Sequence, residues 1–202
     1  MDTGTVFIVD DEEAVRDSIA MLLRSVGLRT QVFADATSFL RQYRSELAGC
    51  LVLDVRMPRM SGLELQQELN RRGWALPVIF ITGHGDVPMA VEAMRAGALD
   101  FLQKPFKDDD LIRRVQKALD QDTRERAALA ERDLLRQHFD ELTPRERDVA
   151  RRIVAGQANK AVALDLGLSE RTVELHRAHV MQKMEARNLA QLVQMLLQVD
   201  SA

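Results

Sequence analysis

The sequence predicts a chain of mixed class: an α/β domain of five βα units around a parallel sheet, then a long linking helix, then a small all-α domain of four helices. Three observations predict it. Short β-rich apolar runs alternate with helix-spaced stretches through the first 120 residues, the texture of βαβ units whose sheet is covered on both faces. No glycine or proline lies between Pro105 and Pro144, so nothing there breaks a helix. After Thr143 the helical texture returns without any strand-like run.

The strands are expected at Val6–Val9, Arg29–Phe33, Leu51–Leu53, Val78–Ile81 and Leu99–Leu102, the second being the weakest run. Between them, Ala14–Val26, Ala36–Tyr43, Gly62–Asn70 and Pro88–Met94 carry apolar residues at helical spacing. A fifth helix starts near Asp108 and runs on as the linker. Its polar middle, Asp120–Arg126, is expected to be exposed or loosely paired. Leu129, Leu134, Leu135 and Phe139 form either an apolar stripe for a partner helix or part of a solvated spacer. The second domain opens on Thr143-Pro144-Arg145-Glu146, with a capping threonine, a proline at the first helical position and a glutamate at N3. Its helices are expected near Pro144–Ala155, Lys160–Leu166, Glu170–Met184 and Leu189–Leu197. The domain bounds are 1–120, 121–141 for the linker, and 142–202.

Composition sets limits. Of 202 residues, 46% are apolar and the net charge is −3. A folded core is expected, and any nucleic-acid surface must be local. The single cysteine, Cys50, excludes an intrachain disulfide; opening an apolar run, it reads as a buried, inert thiol. No run approaches the length of a membrane span, and the N-terminus lacks the features of an export signal. A cytoplasmic protein without membrane contact is expected.

In open parallel sheets, function gathers at the carboxyl ends of the strands. Asp10 and Asp11 follow the first strand, and Asp54 follows the third. With those strands adjacent, three carboxylates converge, and they stay ionised together only if a cation joins them. Oxygen ligands with room for water suit Mg²⁺, and one carboxylate can act as a nucleophile toward phosphorus. Thr82 ends the fourth strand and Lys104 follows the fifth, a hydroxyl and an ammonium suited to phosphoryl oxygens. A hydrolase with an aspartyl-phosphate intermediate would resemble Asp-x-Asp-x-Thr, but the run is Asp54-Val55-Arg56-Met57-Pro58. A nucleotide-binding domain would need a glycine-rich loop after the first strand, where this chain has Asp-Asp-Glu-Glu.

The segments Val9-Asp10-Asp11-Glu12, Asp54–Pro58, Ser61-Gly62, Ile81-Thr82-Gly83-His84-Gly85-Asp86 and Lys104-Pro105-Phe106 resemble the receiver domain of two-component response regulators, and Thr82–Phe106 resembles the FixJ type in particular. The resemblance implies a (βα)5 flavodoxin-like fold with Asp54 as phosphoacceptor. It also implies Mg²⁺ held by Asp10, Asp11, Asp54 and the backbone carbonyl of Arg56. Lys104 and Thr82 would bind the phosphoryl group, Phe101 would turn inward as an aromatic switch, and the Lys104–Pro105 bond would be cis. His84 reads as a loop residue beside the site rather than a catalytic base. The receiver's outer face of fourth helix, fifth strand and fifth helix offers Arg95, Asp100, Asp110 and Arg114 as polar contacts.

In the second domain, Lys160–Leu166, Gly167-Leu168 and Ser169–Thr172 read as helix, tight turn and capped helix. At about 100° per residue, Val173, Val180 and Met184 share a core face. Arg171, Glu174, Leu175, Ala178 and Gln182 lie opposite, a mixture suited to a major groove. Thr172, His176, His179 and Lys183 flank that face and, with Lys160, suit phosphates. Thr143–Arg187 carries nine Lys/Arg against six Asp/Glu, a surplus of three that does not identify a DNA binder. Arg177 falls near the core edge, where it either pairs internally with an acidic residue such as Glu146 or touches DNA.

Leu142–Glu146, Gly156, Asn159-Lys160, Ala163, Leu166, Ser169, Thr172-Val173 and His176 resemble the LuxR-type helix-turn-helix. That implies Glu170–Met184 as recognition helix, base readers at Glu174, Leu175 and Ala178, and a dimerisation helix at Leu189–Leu197. The two resemblances together imply a transcription regulator switched by a sensor histidine kinase, dimeric when phosphorylated and bound to promoter DNA. No enzymatic activity is expected beyond its own phosphorylation and dephosphorylation. A pure protein-interaction module is the competing class.

Overall fold

A computed structural model of the chain describes residues 4–83 and 87–200. The chain divides into two compact units, Met1–Arg126 and Ala127–Ala202.

The first unit holds strands β1 (Thr5–Val9), β2 (Arg29–Phe33), β3 (Gly49–Asp54), β4 (Val78–Thr82) and β5 (Asp100–Gln103). They form one parallel sheet in the order β2-β1-β3-β4-β5. Helices α1 (Glu13–Ser25), α2 (Ala36–Gln42), α3 (Gly62–Arg71), α4 (Val87–Arg95) and α5 (Asp108–Asp140) follow the strands in turn. The period-2 alternation of strand side chains feeds two separate cores. Phe7, Val9, Leu51, Leu53 and Phe80 pack with Phe39, Leu65, Leu69 and Ala93 on the α2–α4 side. Val6, Ile8, Val52, Ile79 and Ile81 pack with Ile19, Leu23, Leu111 and Val115 on the α1–α5 side. β1, β3 and β4 are therefore buried almost throughout. β2 is an edge strand, with only Phe33 buried, which explains its weaker sequence signal.

α3 begins with a reciprocal capping box between Ser61 and Glu64. The next residue has to be glycine, because a Cβ on Gly62 would sit 2.2 Å from the Asp54 carbonyl oxygen. The start of α3 is thereby packed directly onto the end of β3.

α5 spans 33 residues. Its middle departs from the expected exposed or loosely paired stretch. Asp122 is buried, and its Oδ2 accepts the Gly49 N–H at 2.8 Å. Arg126 donates from Nε to both Asp122 oxygens at 2.9 Å, and from Nη1 and Nη2 to the carbonyls of Ser45 and Leu47, each at 2.9 Å. This staple fastens α5 to the amino end of β3.

The second unit contains α6 (Pro144–Val154), α7 (Asn159–Leu166), α8 (Glu170–Lys183) and α9 (Leu189–Asp200). The expected capping box of Thr143 and Glu146 forms, with Pro144 at the helix start. Gly167 ends α7 at φ 65°, a left-handed cap that glycine adopts without a Cβ penalty, and Ser169 caps α8. Phe139 packs with Leu142, Val180, Met184 and Leu192, and Leu135 is buried, whereas Leu129 and Leu134 are exposed. The apolar positions of the linker thus split between a core and solvent. Among the described residues, no helix is long and apolar enough to cross a membrane.

Candidate functional site

Strand order brings the predicted acidic residues together. β1 and β3 are neighbours, so Asp10, just past β1, and Asp54, the last residue of β3, lie side by side. Asp10 is fully buried and Asp54 nearly so, while Asp11 is exposed. Lys104, just past β5, donates from Nζ to Asp10 Oδ2 at 2.8 Å and to Asp54 Oδ1 at 3.0 Å. The sequence suggested that only a bound cation could hold these carboxylates ionised together. The Lys104 ammonium already bridges two of them. Asp54 Oδ2 accepts the Arg56 N–H at 2.7 Å, and Asp10 Oδ1 accepts the Glu12 N–H at 2.9 Å. Arg16, not singled out from the sequence, donates to the Asp10 carbonyl at 2.7 Å and anchors that turn to α1.

Burial pushes the Asp54 carboxyl above its ordinary range against the pull of Lys104, and the Asp10 charge adds to the rise. Burial works against the Lys104 ammonium too, but its two carboxylates outweigh this and raise it. Two carboxylates to one ammonium leave the pocket short of positive charge. Oxygen donors at a mouth where Asp11 meets solvent fit a hard divalent cation. Thr82 is buried at the end of β4, the next strand over from Asp54. Phe101 lies on β5, half-buried against the α2–α4 core. The Lys104–Pro105 bond is cis, as the resemblance implied. His84 and Asp86 lie outside the described residues. On the outer face, Arg114 pairs with Asp100 at 3.0 Å and donates to the Asp110 carbonyl at 3.2 Å, so these polar groups meet one another.

In the second unit, Val173, Val180 and Met184 of the α8 segment are fully buried. Arg171, Glu174, Leu175, Ala178 and Gln182 are exposed together on the opposite side, as is Lys160 on α7. Thr172 is half-buried, its hydroxyl 2.7 Å from that of the cap Ser169. Two expectations need correction. Lys183, read as a phosphate contact, donates to Glu146 Oε2 at 2.7 Å and to the Glu141 carbonyl at 3.2 Å, so its charge is met within the chain. Arg177 reaches Asn159 at 3.3 Å instead of Glu146. His176 and His179 also lie beside Glu146. The packing of α6 on α8 makes this arrangement, and no local spacing in the sequence announces it.

Residues 6–116 match the family described as response regulator receiver domain, and residues 140–196 match the luxR family of bacterial regulatory proteins. The chain belongs to the response regulators that join a receiver domain to a LuxR-type DNA-binding domain. These are transcription regulators rather than enzymes. Among the relatives, the transcriptional regulatory protein FixJ of Azorhizobium caulinodans is 48% identical over 192 residues, covering 95% of this chain and 91% of the relative. Nodulation protein W of Bradyrhizobium diazoefficiens is 47% identical over 190 residues, covering 94% and 84%. Among solved structures, the response regulator StyR matches with TM-score 0.90 and 45% identity over 96% of this chain and 98% of that one. Full-length FixJ from B. japonicum matches with TM-score 0.61 and 39% identity over the whole of both chains.

Proposed function

We propose that Asp54 accepts a phosphoryl group from a sensor histidine kinase, and that this modification promotes dimerisation and promoter binding in the cytoplasm. The observation that carries the proposal is the Lys104 ammonium held at 2.8 and 3.0 Å between Asp10 and Asp54 at the strand ends. An oxygen of Asp54 attacks the phosphorus of the donor phosphohistidine. The P–N bond breaks, and its electron pair leaves with the imidazole, which takes up a proton. The Arg56 N–H steadies the other oxygen of Asp54. Lys104 and the Thr82 hydroxyl then hydrogen-bond the new phosphoryl oxygens.

Receiver domains generally use Mg²⁺. Here Asp10, Asp11, Asp54 and the Arg56 carbonyl would hold it, and it supplies charge neutralisation on the transferring oxygens. The product adds a charge of about −1.5 to −2 if it resembles other phosphoryl groups. Movement of Thr82 and Phe101 in response reshapes the face of α4, β5 and α5.

The chain is best divided as a receiver at 1–120, a connecting helix at 121–141 and a DNA-binding domain at 142–202. The Asp122–Arg126 staple means that the receiver grips the first turns of the connecting helix. α8 is the recognition helix. Arg171, Glu174, Leu175, Ala178 and Gln182 face base edges, and Lys160 and Thr172 face phosphates. Selection from a random duplex pool, with and without a small phosphodonor and Mg²⁺, tests the reading. Enrichment of one site, stronger after phosphorylation, supports it. A pool that stays random under both conditions refutes it and leaves the protein-interaction module.

A further inference from the structure

Glu146 is one of four acidic side chains buried among the described residues. Its two oxygens have different surroundings. Oε2 takes the Lys183 ammonium at 2.7 Å and the Thr143 N–H at 2.9 Å. Oε1 faces Nδ1 of His179 at 3.4 Å. His176, one turn earlier on α8, brings a ring nitrogen into the same group. The ligand atoms of Glu146, His176 and His179 all lie within 4.8 Å of one another, a closeness that no other such trio reaches among the described residues.

We propose that Glu146, His176 and His179 form a binding site for a transition-metal dication, Zn²⁺ by preference. Imidazole nitrogens with one carboxylate oxygen are donors that zinc favours, and three protein ligands leave a fourth position for water. The spacing of one ligand pair matches the chemistry. Two ligands about 2.0–2.1 Å from a tetrahedral ion stand about 3.3–3.4 Å apart, and Oε1 and Nδ1 of His179 are already 3.4 Å apart. Histidines at i and i+3 share one face of a helix, so α8 offers both without distortion.

Two further features favour a ligand here. Nδ1 of His176 is buried with no hydrogen-bond partner, an unmet polar group that raises the cost of leaving this imidazole unliganded. Lys183 and the Thr143 N–H fix the carboxylate from its far oxygen, the way outer partners orient a ligand toward a metal. Entry is open. His179 is about half exposed, and a cavity of about 640 Å³ lined by His138, Glu141, Glu146, His179 and Lys183 leads to solvent. Bound metal would tie α6 to α8 and hold both histidines of the recognition helix. The site is defined without reference to DNA, so it stands or falls apart from the promoter-binding reading.

The test uses the full chain in excess Mg²⁺, which occupies carboxylate-only sites, with Zn²⁺ added by calorimetric titration. The proposal expects one Zn²⁺ per chain. His179→Asn removes a half-exposed ligand and should leave the metal-free melting curve unchanged, yet weaken Zn²⁺ binding by about 100-fold or more. Glu146→Gln keeps a side chain able to complete the capping box and should weaken binding as well. Co²⁺ in place of Zn²⁺ should give a visible spectrum of tetrahedral type that His179→Asn abolishes. No Zn²⁺ uptake by the unaltered chain, or equal uptake by the His179→Asn protein, would overturn the proposal.

Discussion

The staple at the foot of α5 makes a prediction whose size can be worked from its contacts. Asp122→Ala removes the carboxylate that accepts the buried Gly49 N–H. An amide left without a partner in a buried position costs about 1–3 kcal/mol. Arg126 also loses its carboxylate but keeps the carbonyls of Ser45 and Leu47, and it is exposed enough for water to offset part of that loss. A total of about 2–4 kcal/mol is expected for the Ala variant. Asp122→Asn retains an oxygen for Gly49 and loses only the charge, so it should cost about 1 kcal/mol. Trp74 is the single tryptophan and lies in the receiver, so its fluorescence during urea unfolding follows that unit alone. The midpoint should fall in the order Asp, Asn, Ala with little change in slope. An Ala variant within about 0.5 kcal/mol of the original, or an Asn variant as unstable as Ala, would rule out a stabilising Asp122–Gly49 contact.

Other outcomes follow from single contacts. Gly62→Ala drives a Cβ to 2.2 Å from the Asp54 carbonyl; it should cost about 1–3 kcal/mol and slow phosphorylation, and an unaltered rate of labelling would contradict the packing of α3 on β3. Lys160→Ala should weaken binding to all DNA sequences and reduce the salt slope by about 1, whereas Glu174→Gln should change base preference. Equal effects of both on specific and nonspecific affinity would refute the docking of α8. Burial pushes the Cys50 thiol up, aided by the Asp122 charge, so iodoacetamide should leave Cys50 unmodified in the native chain and react only on unfolding. Rapid native alkylation would deny the burial.

The receiver was legible in the sequence because buried parallel strands read as unbroken apolar runs. A residue just past such a run, as Asp10, Asp54 and Lys104 are, has its place set by the strand itself. β2 was faint because an edge strand needs few apolar side chains. The staple was not legible. Asp122 and Arg126 sit four apart in a charged, helix-forming stretch, where a solvated pair and a buried clamp have the same spelling. What separates them is the start of β3, more than 70 residues away along the chain. The trio of Glu146, His176 and His179 was hidden for the same reason. Helical wheeling placed the two histidines beside the exposed face of α8, but only the packing of α6 reveals the carboxylate between them and Lys183.

Whether Asp54 itself takes the phosphoryl group can be read by chemical trapping. The chain is treated with an acyl phosphate donor and Mg²⁺, reduced with borohydride to trap an acyl phosphate as an alcohol, digested, and read by mass spectrometry. A reduced aspartate is expected at Asp54, absent when Mg²⁺ is omitted and absent from the Asp54→Asn protein. Modification that maps elsewhere, or an Asp54→Asn protein labelled as fully as the original, would contradict this expectation.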